Sequence, residues 1–129
     1  MKASIWQFNK MKSIRILILF LLISQISKGQ DSLLYSIYQN HHQQSRIYFN
    51  SSIYAKSIQE LEQELNLCKR QDWEKEQLET SVFLAEVYRK VGDLELGIDV
   101  LKELEFSVNY PELHMTKLGR IAALYCSEY

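Results

Sequence analysis

The residues best suited to chemistry in this sequence are three histidines and two cysteines. His41 and His42 are adjacent, whereas His114, Cys68 and Cys126 lie far from them along the chain. Adjacent side chains diverge on a helix or a strand, and no Cys or second His stands at metal-ligand spacing. We therefore expect no metal ion and no cofactor. A Cys68–His114 nucleophilic pair is conceivable, but neither residue has a catalytic signature around it.

The cysteines are better explained as packing residues. Cys68 extends an apolar stripe that shares one helical face, at spacings of four and three residues. We expect two buried thiols rather than a disulfide. The carboxylates Glu60, Glu62 and Glu64 follow the opposite face, which we expect to be solvated. Because no Gly-rich nucleotide loop is present either, the sequence predicts a protein that is not an enzyme. The stripe that Cys68 extends consists of Tyr54, Ile58, Leu61 and Leu65.

The first 29 residues differ in composition from the rest. A basic start precedes the apolar run 16–23, and the small residues Ser27 and Gly29 follow it. This order is typical of a secretory signal peptide. The run is shorter than the roughly 20 residues that span a bilayer. We predict a signal peptide over 1–29, cleavage between Gly29 and Gln30, and a periplasmic or secreted product. The alternatives are a buried core helix and an uncleaved anchor.

Removal of this leader changes the charge. The whole chain has 15 basic and 16 acidic residues, and the leader holds five basic and no acidic ones. Residues 30–129 therefore carry 10 basic against 16 acidic residues, a net charge of −6. An acidic domain repels phosphate backbones, so we expect no nucleic-acid partner. No second apolar segment follows, and we expect no membrane span in the mature chain.

Helical patterning covers most of 30–129. We predict helices over 30–40 and 46–70, with a polar connection at His41–Gln44 and a break near 50–52. Asp72 is the predicted cap of a third helix that ends near Lys90. Asp93 caps a fourth helix, which ends near Phe106. After a turn over 109–111, a last helix runs on to Tyr129.

The third and fifth predicted helices share a pattern that repeats after 37 residues. Large, small and aromatic residues recur at the same spacings, and a helix with small and large residues lies between the copies. Gly92 allows the left-handed backbone that ends a helix. The two copies are Ser81, Leu84, Ala85, Tyr88 and Leu118, Ile121, Ala122, Tyr125, and the helix between them carries Gly97, Leu101 and Leu104.

This pattern resembles the tetratricopeptide repeat, with the best repeat over 78–108 and an incomplete one over 111–129. Ser81 stands where the family usually has Trp, and Leu104 is larger than usual. The resemblance implies an all-α fold for 30–129, with antiparallel helix-turn-helix pairs stacked as a short solenoid. A generic helical hairpin is the alternative.

The resemblance also implies a function, because stacked helix pairs present a concave face that binds other proteins. The partner would be a protein or peptide. The alternative is that the residues on this face are ordinary solvated positions. The first-helix residues that face the groove would be Glu79, Val82, Glu86 and Arg89, with Lys90 at the edge.

The order of segments is similar to the extracytoplasmic region of Bacteroidetes-type sensor histidine kinases. It implies that this interaction module is the input part of a signalling protein. A truncated remnant of such a kinase is the alternative, although no phosphoacceptor region or nucleotide site is present to carry kinase activity.

Overall fold

A computed structural model of the chain describes residues 2–106 and 110–127. These residues form five α-helices and no strand, and the helices pack consecutively as antiparallel pairs, so the predicted all-α class is confirmed. The chain divides into two units, one up to Ser36 and one from Ile37 onwards. The helices are α1 (Lys2–Asn50), α2 (Tyr54–Arg70), α3 (Glu74–Lys90), α4 (Leu94–Lys102) and α5 (Pro111–Cys126).

The first unit consists of the N-terminal part of α1. The apolar run 16–23 is helical, and its side chains are exposed. Among the described residues, no helix combines the length and hydropathy that a membrane crossing requires. Cleavage between Gly29 and Gln30 stays a prediction.

The second unit begins inside α1, and here one expectation is wrong. His41–Gln44 is not a connection, because α1 continues through it to Asn50. Nothing in this stretch breaks a helix, and both histidines face acidic residues of α2. The break expected near residues 50–52 is present as the turn that joins α1 to α2.

The three turns over 51–53, 71–73 and 91–93 share one geometry. Their middle residues, Ser52, Asp72 and Gly92, have φ values of 60°, 54° and 86°. In each turn the following N–H donates to the carbonyl five residues earlier, as Asp93 does to Tyr88. This is the Schellman pattern of a helix end. Asp72 is therefore a terminating residue and not a helix cap, which corrects the sequence-based expectation. Asp93 does cap α4, since its side chain accepts from the Leu96 N–H.

Helix α3 is covered on two faces, which makes it the centre of the second unit. On one face, Leu84 and Val87 pack with Leu61 and Leu65 of α2. On the other face, α3 contributes to a cluster completed by α4, the following loop and α5. Burying two faces of one helix requires neighbours on both sides, as in a stack of helices. The second cluster contains Leu78, Ala85, Ile98, Leu101, Leu104, Phe106 and Leu124.

The contact between α3 and α4 depends on Gly97. A Cβ atom built on Gly97 would lie 2.9 Å from the Ala85 carbonyl oxygen and 3.3 Å from the Ala85 Cα atom. Both atoms belong to the backbone and cannot rotate away. The absence of a side chain at residue 97 therefore sets how closely the two helices approach.

Two helix ends differ from the expectation. Helix α4 stops at Lys102 rather than near Phe106, although Leu104 and Phe106 still reach the core from the loop. Helix α5 ends at Cys126 with Ser127 as its C-cap. Residues 107–109 and 128–129, which include Asn109 of the predicted turn and Tyr129, lie outside the described residues.

The second copy of the repeat pattern is packed differently from the first. Leu84 and Ala85 are buried in α3, whereas Leu118, Ala122 and Tyr125 are exposed in α5. Of the copy in α5, only Ile121 packs against the core. The described chain contains no further helix that covers this side of α5. Cys126 is also exposed, so the expectation of two buried thiols holds for Cys68 alone; both thiols are free.

The Gly97 contact leads to a prediction about stability. Replacing Gly97 with Ala should lower the free energy of unfolding by about 1–2 kcal/mol, since overpacking against backbone atoms outweighs the gain in helix propensity. The matched change Gly119→Ala places a Cβ in open space on α5 and should raise that free energy by up to about 1 kcal/mol. Urea unfolding of the three chains measures both effects. Equal shifts in the same direction would contradict the role of Gly97.

Candidate protein-binding groove

A groove runs along α3 between α1 and α5. It consists of two adjoining cavities of about 430 and 640 Å³. Helix α3 forms the floor, while α1 and α5 form the two walls. Because the cavities share lining residues from all three helices, they are parts of one continuous surface. The shared residues are Arg46, Glu79, Val82, Phe83 and Arg120.

The floor of the groove is apolar and packs on buried side chains. Val82 and Phe83 are half-buried on α3, and Leu101 and Leu124 are buried beneath them. The Phe83 ring lies 5.3 Å from the Phe49 ring, measured between centroids, in an edge-to-face arrangement. Such aromatic pairs contribute about 0.5–1.5 kcal/mol beyond the burial of their surface. The floor therefore offers preformed apolar surface to a ligand.

Charged side chains surround this floor. Arg89 donates to both carboxylate oxygens of Glu86 from Nε and Nη2, and the Nε–Oε2 distance is 2.9 Å. This hydrogen bonding lowers the pKa of Glu86 and raises the pKa of Arg89. The two charges thus neutralise each other locally. Arg46 and Arg120 are exposed and have no ion-pair or hydrogen-bond partner within residues 2–106 and 110–127.

The structure places four of the five predicted groove residues in the lining. Glu79 and Val82 line both cavities, and Glu86 and Arg89 line the smaller one. These four residues are spaced by three and four positions, so their side chains lie on one side of α3. Lys90 is exposed but does not line either cavity. These four residues line the groove, and their binding to a partner protein remains a prediction.

The residues that line the two walls of the groove were not predicted from the sequence. On α5, the lining residues Thr116, Arg120 and Ala123 stand 37 residues after Glu79, Phe83 and Glu86. This is the period of the repeat pattern, and applying it to Glu79 and Glu86 would have found Thr116 and Ala123; Arg120 corresponds to the half-buried Phe83, which was not a predicted groove residue. On α1, the lining residues stand 40 residues before Val82, Glu86 and Arg89, the distance between the turns at 51–53 and 91–93. These α1 residues are His42, Arg46 and Phe49.

A buried carboxylate, which was predicted from the sequence to be solvated, lies beneath the α1 wall. Glu64 is fully buried, so the expectation that it belongs to a solvated face is wrong. Thr80 donates to Glu64 Oε1 at 2.7 Å, and His42 Nδ1 lies 2.8 Å from the same oxygen. The other oxygen, Oε2, has no hydrogen-bond partner among the described residues. His41 pairs with Glu60 one turn away, and both are half-buried.

This environment determines the direction in which the pKa of Glu64 is shifted. Burial raises its pKa above the ordinary value, and the hydrogen bonds from Thr80 and His42 oppose the shift without cancelling it. Proton uptake removes the cost of burying an unpaired charge at Oε2. Cys68 lies in the same region, and burial raises the pKa of its thiol to about 12. The Cys68 thiol is therefore protonated at neutral pH and is a poor nucleophile.

The remaining candidate residues for chemistry are not brought together. His114 lies on α5, with its Nε2 atom 3.2 Å from the Phe106 carbonyl oxygen and its ring edge-to-face with the Phe106 ring. Cys68 lies on α2, where Trp73 and Gln77 bond to its carbonyl oxygen. Within the described ranges, no group of three or more His, Cys, Asp or Glu residues has the arrangement of a metal site.

Comparison with known proteins gives no relative for this chain. No protein-family model, no curated protein and no solved structure matches it.

The buried carboxylate leads to a prediction about pH. The pKa of Glu64 is higher in the folded state than its ordinary value of 4.5. Its contribution to stability is therefore complete below pH 4.5 and is lost as the pH rises through the folded-state pKa. Over that interval, the parent should lose about 1.4 kcal/mol per pH unit relative to Glu64→Gln, which has no proton to lose.

Urea unfolding between pH 4 and pH 8 measures this difference. Glu105→Gln, an exposed carboxylate outside the helices, is the matched control and should follow the parent at every pH. If the parent and Glu64→Gln curves ran parallel, the pKa of Glu64 would be the same in the folded and unfolded states, and the raised pKa would be wrong.

Proposed function

We propose that this chain is a protein-interaction module whose binding surface is the groove between α1, α3 and α5. The observation that carries the proposal is the combination of an apolar floor with charged rims on three helices. Binding sites commonly combine preformed apolar surface with a few polar groups that fix orientation. A groove that extends along a helix is open at its ends, which suits a polypeptide segment.

The packing beneath the groove supports the same proposal. Leu84, Ala85 and Val87 of α3 are buried against other helices, so the floor is held on its inner side. A ligand that binds such a floor does not have to order it, and the entropy cost of binding is correspondingly lower.

The proposal also covers the protein class and the cellular location that the sequence indicates. The repeat pattern supports membership of the tetratricopeptide-like class, in which helix pairs bind partners through their concave face. The N-terminal leader supports export, and the order of segments supports a role as the input part of a signalling protein. Residues Glu79, Val82, Glu86 and Arg89 would contact the partner.

A pair of matched substitutions tests the proposal. Val82→Arg puts a long cationic side chain on the floor of the groove, whereas Val91→Arg puts the same side chain at the exposed end of α3. Affinity purification from the native cells should recover a partner with the parent and with Val91→Arg. The Val82→Arg variant should lose it by about tenfold or more, as expected for a residue at the centre of an interface.

Circular dichroism and urea unfolding of both variants show whether the fold is retained. A partner that is recovered equally with both variants would bind elsewhere, and the groove would not be the interaction site.

A further inference from the structure

The rim of the groove carries positive charge in an otherwise acidic domain. Residues 30–129 have 10 basic and 16 acidic residues, but two of those basic residues face each other across α3. Arg46 projects from the α1 wall and Arg120 from the α5 wall. Both are exposed and neither has a counter-ion in the described part of the chain.

The acidic residues of the groove do not cancel these two charges. Glu86 is engaged by Arg89 through two hydrogen bonds. Glu79 is then the one carboxylate of the described lining that is not paired with a cation. Two guanidinium groups of the same described lining, those of Arg46 and Arg120, have no ion-pair partner among the residues that the structure describes. The net charge of the groove is therefore positive, although the domain around it is negative.

On this basis we propose that the groove binds an acidic peptide segment, with side-chain carboxylates on Arg46 and Arg120 and an apolar side chain on the floor. The inference rests on the proposed function and specifies its partner. Guanidinium groups hold carboxylates through two parallel N–H···O bonds, which adds direction to the attraction. An apolar residue between the carboxylates would contact Val82 and Phe83.

The chemistry favours side-chain carboxylates over the other anionic ligands. Two guanidinium groups on opposite walls need two anionic groups, and a chain terminus supplies one. A nucleic acid presents a dense row of phosphates, more anionic groups than two arginines can pair, and it has no aliphatic side chain for the apolar floor. Acidic residues spaced by apolar ones match both the charge and the floor.

Fluorescence anisotropy with defined peptides tests the inference on the full chain. The probe is a rhodamine-labelled peptide with Glu and Leu residues spaced by Ser and Gly, and its C-terminus is amidated. Its twin has Gln in place of every Glu. The parent should bind the acidic peptide about tenfold or more tightly than the twin, the size expected for charge-assisted hydrogen bonds.

Four substitutions give effects of different sign. Arg46→Gln and Arg120→Gln should each weaken binding of the acidic peptide about tenfold, and Glu79→Gln should strengthen it by about threefold. Arg70→Gln removes an exposed arginine of α2 that bonds to the Asn66 carbonyl oxygen of its own helix, and it should leave binding unchanged. A loss of folding cannot produce the increase expected for Glu79→Gln.

Three results would overturn the inference. Equal affinity for the two peptides, lost in Val82→Arg, would mean that the groove binds peptides without selecting acidic ones, and the proposed function would stand. No binding of either peptide would exclude an acidic peptide as partner, while the Val82→Arg and Val91→Arg comparison still decides the proposed function. Displacement of the acidic peptide by a single-stranded oligonucleotide that binds more tightly would make phosphate the ligand.

Discussion

The second unit of this protein depends on a helix that is buried on two opposite faces. Helix α3 shares one apolar cluster with α2 and a second with α4 and α5. Neither cluster is complete without α3, and α3 would expose an apolar face without either neighbour. Gly97 and Ala85 set the distance on the α4 side, where no side chain fits between the backbones. The exposed side of α3 that remains is narrow, and it is the floor of the groove.

The elements that could be predicted from the sequence are those with a local signal. The amphipathic stripe of α2, the Gly92 turn and the Asp93 cap each depend on residues whose chemistry specifies the structure. The Gly97–Ala85 approach also follows from the small residues at those positions. The all-α class required no more than these signals and the near absence of helix breakers.

The elements that could not be predicted depend on contacts between distant residues. The turns at 51–53 and 71–73 have the geometry of the Gly92 turn, but Ser52 and Asp72 replace glycine there. His41–Gln44 looks like a polar loop by composition, and it is helical because its histidines meet Glu60 and Glu64 of α2. Likewise, Glu64 lies in a charged stretch, and nothing in that stretch indicates that its side chain is buried and accepts a hydrogen bond from Thr80. The walls of the groove also depend on tertiary contacts, because the wall residues of α1 and α5 each lie about 40 residues from the floor residues of α3 in the sequence.

The groove and the core are two consequences of the same arrangement. Helix α3 buries two faces against its neighbours and has one side left for solvent, and this side forms a continuous surface with the walls supplied by α1 and α5. Arg46 stands 40 residues before Glu86 and Arg120 stands 37 residues after Phe83, so the two arginines come from different positions of the pattern, on the walls at either side of α3. The charge of the groove differs from that of the domain because its described lining holds three arginines, Arg46, Arg89 and Arg120, against two carboxylates, Glu79 and Glu86.

Native-state hydrogen exchange tests the central position of α3 most directly. If α3 completes both clusters, its buried amides at Thr80, Leu84 and Val87 should exchange only through global unfolding, with the highest protection in the chain. Amides of α5, which is covered on one side, should exchange through local opening at a lower free energy. Protection in α3 no higher than in α5, or separate opening of α3 while α2 and α4 stay protected, would contradict this structure.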